Sequence, residues 1–229
     1  KLIFAFGRFN PPTTGHAKLM KEVIAQAKRN NANHIVYASA STDKQKNPLD
    51  VNTKVKFMKK MFPQNKIQAA GGNQRTFMEI LKFYNKMYGE VIMVAGSDRI
   101  REFQTLIDKY NGKDYEYKKV TVVSSGERDP DAEGISGMSA SKMRKAAKDN
   151  DLSSFSKGVP SSYKDVQGLF NMLRKAMGLK ESNNFRQHIQ LDPVSETREE
   201  YIDGTLFEVG DTVTVKETNE QGSIKMLGS

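Results

Sequence analysis

The chain has 229 residues, 37% of them hydrophobic and 28% charged, and no cysteine; the length suits one α/β domain with a small appendage, and the missing cysteines exclude disulfides, thiolate zinc sites and cysteine nucleophiles. The formal net charge of +9 is uneven: from residue 192 onward nine acidic residues face three basic ones, −6 in all, which leaves +15 on the rest. A basic body suits a polyanion, either a nucleoside triphosphate or a nucleic acid, and with no membrane-length apolar run and no signal-peptide core after Lys1 the expectation is a cytoplasmic-type protein.

In chain order, residues 2–6 are a short apolar run ended by Gly7, and Leu19, Val23, Ile24 and Ala27 then recur at helical spacing. A second strand is expected over 34–38, followed by a polar stretch, 39–48, too long for a simple turn. Val55, Met58 and Met61 mark a helix over 51–61, and 66–70 a third strand. Thr76 with Glu79 is a capping box that opens an amphipathic helix, its stripe running through Phe77, Ile80, Leu81, Tyr84 and Met87 to Gly89. Residues 91–94 form the clearest strand; a helix over about 100–110 and a fifth strand over 119–124 complete the series.

Strands alternating with helices in this way predict a parallel sheet covered on both faces, with any ligand site at the carboxyl ends of the strands. Domain boundaries are expected at 1–150 for this α/β domain, 151–191 for a helical extension and linker, and 192–229 for a small acidic β module. The extension holds a Ser-rich connection over 153–162 and an amphipathic helix over 163–177; the module reads as the opening hairpins of an SH3-like or KOW-like barrel that ends before it could close, with a role in binding a partner.

The loop after the first strand reads Gly7-Arg8-Phe9-Asn10-Pro11-Pro12-Thr13-Thr14-Gly15-His16. Nucleotidyl transfer requires positioning and charge neutralisation around an α-phosphorus under attack. Gly7 would let backbone approach phosphate, a helix N-terminus beyond Gly15 would offer N–H groups and a positive dipole end, Thr14 could bond a phosphate oxygen, and His16 could donate to the α-phosphate as its charge grows. An ordinary capped helix start is the competing reading. Further on, Ser139 and Ser141 stand at an expected helix N-terminus with Arg144 on the same face, a set suited to phosphate oxygens or to a plain Ser-capped basic helix.

The first segment resembles the GxFxPxTxGH or GxFxPxHxGH signature of the cytidylyltransferase-like nucleotidylyltransferases, with threonine in the first histidine position as in phosphopantetheine adenylyltransferases. Residues 138–144, Met-Ser-Ala-Ser-Lys-Met-Arg, resemble the same family's ISSTxxR signature, with Met for Ile, Ala140 costing one hydroxyl and Ser141 replacing Thr. Gly96-Ser97-Asp98 resembles its GxD loop, and Lys46-Asn47-Pro48 resembles segments bordering the substrate pocket of nicotinamide-nucleotide enzymes. The run from Gly126 to Ser141 is also similar to nucleotidylyltransferase-like proteins of tailed phages, which would put the protein in a host cytoplasm or a virion.

The resemblance covers about residues 1–150 and implies a Rossmann-like α/β fold, a five-stranded parallel sheet in the order 3-2-1-4-5. It implies ATP, or alternatively CTP, as a substrate accompanied by Mg2+, with no metal held by protein side chains. The implied catalytic residues are His16, Thr14 and Arg144; the implied nucleotide-binding residues are Gly7, Arg8, Phe9, Gly15, Ser139, Ser141, Gly96, Asp98, Lys44 and Lys46. The expected reaction transfers a nucleotidyl group, AMP by preference, to a phosphate-bearing acceptor such as a mononucleotide. A catalytically silent structural or nucleotide-binding protein that kept the fold is the alternative. A nucleic-acid-binding module is less favoured, since no stacking-aromatic motif accompanies the charge.

Overall fold

The computed structural model describes residues 1–126, 138–179, 209–214 and 221–225. Five strands, β1 (Leu2–Gly7), β2 (Asn33–Ala38), β3 (Ile67–Ala69), β4 (Glu90–Ala95) and β5 (Lys119–Ser124), form one all-parallel sheet in the order β3-β2-β1-β4-β5. Seven helices accompany them among the described residues: α1 (Ala17–Arg29), α2 (Val51–Met61), α3 (Phe77–Tyr84), α4 (Ile100–Tyr110), α5 (Ala140–Lys148), α6 (Leu152–Ser156) and α7 (Val166–Ala176).

Alternation along β1 decides which helices lie on which face. Ile3 and Ala5 point into a cluster with Met20 and Val23 of α1, Phe57 and Met58 of α2, Met143 of α5, Phe155 of α6 and Leu169 of α7. Leu2 and Phe4 point the other way, to Ile80 and Leu81 of α3 and Phe103 and Ile107 of α4. The strands therefore read as continuous apolar runs because both faces are covered.

Register then creates the crevice. β1 pairs with β2 as far as Gly7 opposite Ala38, but with β4 only as far as Phe4 opposite Met93, although both strands run on, to Gly7 and Ala95. The sheet parts at its carboxyl edge where the strand order reverses, which is where parallel sheets take ligands.

Two local expectations are corrected. α3 stops at Tyr84 rather than continuing to Gly89, because the following residues turn back through the Met87 and Tyr88 N–H bonds to the Tyr84 carbonyl. The Ser-rich connection contains α6, opened by Asp151 accepting from the Ser154 N–H and held down by buried Phe155. The extension is also part of the first compact unit, Lys1–Glu181: α6 and α7 pack on α5, and buried Arg174 donates to the Ala147 carbonyl.

The second unit, Ser182–Ser229, contains an antiparallel pair, β6 (Thr212–Thr214) and β7 (Gln221–Ser223), closed by the Gly210 N–H to Ile224 carbonyl and Ile224 N–H to Asp211 carbonyl bonds. The expected strand at 206–209 falls, but for Val209, outside the described residues, as do Val215, Leu227 and the segment 127–137. No helix among the described residues is long and apolar enough to cross a membrane.

Candidate active site

The chain leaves β1 at Gly7 and turns sharply. Phe9 adopts φ 45°, a left-handed conformation that costs a bulky residue energy and is held here by burial of its ring. That ring lies under Gly7, where a Cβ would meet it at 2.8 Å. Glycine is required at position 7 by the ring, in addition to any phosphate approach expected from the sequence.

His16 sits in a single 3-10 turn, Thr14–His16, and is 9% exposed. Its Nδ1 accepts the Thr13 backbone N–H at 2.9 Å, lies 3.1 Å from Thr13 Oγ1, and its ring stands edge-on to Phe9 with centroids 4.9 Å apart. An Nδ1 that accepts from a backbone N–H leaves the proton of neutral imidazole on Nε2. The tautomer is thereby set as a donor at Nε2.

The turn also corrects an expectation. The N–H groups of His16 and Ala17 bond to the Thr13 and Thr14 carbonyls, and the Thr14 N–H donates to the Gly158 carbonyl at 2.8 Å. Tight i→i−3 bonding satisfies donors that the sequence reading left to phosphate.

Gly15 brings the two signatures together: a Cβ there would lie 2.9 Å from the Met138 carbonyl oxygen. Ser139 caps α5 by accepting from the Lys142 N–H, and Arg144 donates through one terminal nitrogen to the Asn10 carbonyl at 2.6 Å and through the other to Ser141 Oγ at 3.0 Å. Burial lowers the Arg144 pKa, with Asp43 opposing and the like charge of Arg8 adding to it.

Asn10, buried, carries the third link: its carboxamide donates to the Leu49 carbonyl and accepts from the Leu49 N–H. That fastens the loop 43–49, where the Asp43 carboxylate accepts from the Lys46, Gln45 and Asn47 donors and is held below its usual pKa, chiefly by the Lys46 N–H.

These elements enclose adjoining cavities. One, of about 510 Å3, gathers Gly7, Arg8, Phe9, His16, Lys46, Asn47, Ser139, Ser141 and Arg144. A smaller one, of about 240 Å3, gathers Arg8, Thr14, Gly15, Lys18, Gly96 and Asp98. A third, of about 690 Å3, shares Gly7 and Arg8 and is lined by Ser39, Ser41, Arg75, Phe77, Arg99 and Phe103. Of the residues singled out from sequence, only Lys44 lines none of these three; it is exposed on the 43–47 turn. Asn47 is buried and its Oδ1 has no hydrogen-bond partner among the described residues, an acceptor that a ligand N–H or O–H would satisfy. Among the described residues no three His, Asp or Glu side chains gather to hold a metal ion.

Sequence reasoning missed Lys18, the Arg75, Phe77 and Phe103 wall, and Lys54. Lys54 is fully buried on α2 and donates to the Ser39 carbonyl, whose N–H in turn donates to the Gly7 carbonyl. Its signal was a lysine on the apolar stripe of Val51, Val55 and Met58. Burial lowers its pKa to about 8, with Asp50 opposing. Because the folded value lies below the unfolded one, the cost of burying the charge is complete below pH 8 and is relieved as pH rises toward 10.5. Urea unfolding should therefore show the stability of the wild type relative to Lys54→Met improving by up to about 3 kcal/mol over that range. A difference that stays constant with pH would contradict a buried ammonium.

A family model described as cytidylyltransferase-like matches residues 4–156. Among solved structures, a candidate nicotinate-nucleotide adenylyltransferase from Vibrio parahaemolyticus aligns at 17% identity over 74% of this chain and 97% of its own, with a TM-score of 0.48. A macrolide-efflux protein from Streptococcus pneumoniae aligns at 14% identity over 78% of this chain and 55% of its own, with a TM-score of 0.42. No curated protein matches. The family match spans both signature segments and the sheet that carries them, and the chain belongs to the cytidylyltransferase-like family.

Proposed function

We propose that the chain transfers a nucleotidyl group, AMP from ATP in preference to CMP from CTP, to a phosphate-bearing acceptor of mononucleotide type; membership of the family supports nucleotidylyl transfer in general. The observation that carries this is His16, its Nε2 set as a donor by the Thr13 N–H, lining one cavity with Lys46, Ser139, Ser141 and Arg144.

In this reading the β and γ phosphates lie against Arg144, Lys46, Ser139 and Ser141, and the acceptor occupies the adjoining cavity walled by Phe77, Arg99 and Phe103. Arg8, which lines both, lies between the two phosphate groups. An acceptor phosphate oxygen attacks the α-phosphorus and forms a new P–O bond; the bond from the α-phosphorus to the bridging oxygen breaks, and pyrophosphate leaves with that electron pair. His16 Nε2–H and Thr14 Oγ1 stabilise the α-phosphate oxygens as charge grows on them, while Arg144 and Lys46 neutralise the leaving group. Thr14, Gly15, Gly96 and Asp98 border the smaller cavity, to which we assign the nucleoside. Asp98 is exposed there with room to accept a sugar hydroxyl.

The preference for ATP rests on Gly7-Arg8-Phe9, Asn10-Pro11-Pro12 and Lys46-Asn47-Pro48. Pyrophosphate release with ATP and CTP, each against mononucleotide and non-nucleotide phosphate acceptors, tests it: faster release with ATP is expected, and strict CTP dependence would overturn the adenylyl assignment. To the second unit, whose acidic charge is opposite to that of the body and which carries neither signature motif, we assign a partner-binding role.

A further inference from the structure

The family match ends at residue 156, yet one constraint on the 14–16 turn comes from beyond it. Thr14, at the start of that turn, donates its backbone N–H to the Gly158 carbonyl at 2.8 Å. Gly158 lies in the connection between α6 and α7, which is closed by its own bonds: the Gly158 N–H to the Phe155 carbonyl and the Val159 N–H to the Ser156 carbonyl. The connection cannot drift, because Phe155, Val159 and Tyr163 are all buried and the Tyr163 ring stands edge-on to Phe57 of α2.

Position 158 is also closed on the side of α5. A Cβ there would lie 2.6 Å from Met143 Sδ, 2.7 Å from Met143 Cγ and 3.2 Å from Met138 Cε. Met143 is fully buried, so its sulfur can move aside only by displacing packed neighbours. One glycine therefore touches both signature segments: its carbonyl holds the Thr14 turn, and its bare α-carbon lies against the helix that carries Arg144.

We propose that the α6–α7 connection is a positioning element of the active site, with Gly158 as the residue that sets the Thr14 turn against α5. The turn that presents His16 and Thr14 and the helix that presents Arg144 come from opposite ends of the sheet's chain order, and a common contact at Gly158 fixes their separation. Its consequence for turnover rests on the proposed nucleotidylyl transfer; the contact itself does not.

The test is Gly158→Ala, alone and combined with Met143→Ala, which removes the atoms the new methyl would strike. Amide exchange followed by NMR reads the Thr14 N–H directly. The wild type should protect this amide; Gly158→Ala should speed its exchange about tenfold or more and lower kcat by about tenfold, with KM for the acceptor changing by no more than about twofold. The double variant should recover Thr14 protection and most of kcat, whereas Met143→Ala alone should leave Thr14 protected. A wild-type Thr14 amide that exchanges like an exposed one, or a folded Gly158→Ala protein with unprotected Thr14 and wild-type kcat, would overturn the proposal. If the wild type releases no pyrophosphate with any acceptor, the functional reading fails, and Thr14 exchange together with triphosphate affinity in the same three variants still decides whether Gly158 positions the turn.

Discussion

Replacing His16 with alanine is expected to lower turnover by about two orders of magnitude or more, with a smaller effect on triphosphate affinity, since the lost donor acts most strongly on charge that appears in the transition state. The imidazole has two separate tasks. Nδ1 accepts the Thr13 N–H and braces the turn, a cap-like bond whose loss costs about 1 kcal/mol of stability. Nε2, left with the proton in this tautomer, is the donor in the proposed reaction. Asparagine separates the two, because its amide oxygen reaches only as far as Nδ1. His16→Asn should therefore unfold near the wild-type temperature yet turn over as poorly as His16→Ala. Steady-state pyrophosphate release and thermal unfolding of both variants check this, and a His16→Asn protein within about twofold of wild-type kcat would exclude the Nε2 donor role.

Arg144→Ala is expected to act on binding instead, raising the triphosphate Kd by about 10- to 100-fold, the range for one charge-assisted contact to phosphate. Two of the guanidinium donors bond Asn10 and Ser141, which fixes the plane of the group and leaves further N–H donors for a ligand. Its charge is destabilised by burial and by Arg8 nearby, and an arriving polyphosphate relieves both penalties. Arg144→Lys should recover little of the loss, because a single ammonium cannot hold the Asn10 carbonyl and Ser141 while also contacting phosphate. Titration calorimetry at two salt concentrations checks the assignment: affinity should fall with salt in the wild type and less steeply in Arg144→Ala. Equal affinities for wild type and Arg144→Ala would remove Arg144 from the triphosphate site.

Both predictions concern residues that the sequence made visible, and the reason is local. The 7–16 segment and the 138–144 segment each hold their chemistry within ten residues or fewer, so residue type and spacing suffice to expose them. The strands were legible for a similar reason: the short apolar runs of β1 and β4 are buried on both faces and need no partner to be recognised. α6 was hidden because Ser153, Ser154 and Ser156 mask a single turn whose anchor is one buried phenylalanine, Phe155; the Asp151 cap was the available sign.

What the sequence did not reveal depends on contacts between distant segments. Asn10 reads as part of a loop until its carboxamide is seen on Leu49, 39 residues away. Arg144 reads as a phosphate ligand, and its bond to the Asn10 carbonyl spans 134 residues. Gly158 has no motif at all, because its role comes from the Thr14 N–H and the Met143 side chain. The wall of the larger cavity is assembled from the ends of β2, α3 and α4, three elements with nothing in common in sequence. Such residues are ordinary for their local structure and informative only once the sheet has brought them to one edge.

In the proposed reaction this edge of the sheet joins a nucleotidyl group to a phosphate acceptor. The most direct measurement follows the α-phosphorus of ATP labelled at that atom, in the presence of a mononucleotide acceptor, with wild type and His16→Ala compared side by side. Label should appear in a new phosphoanhydride together with an equal amount of pyrophosphate, and His16→Ala should slow label transfer about 100-fold or more. Tight triphosphate binding without label transfer to any acceptor from either ATP or CTP would contradict it and identify the chain as a nucleotide-binding protein that has kept the fold.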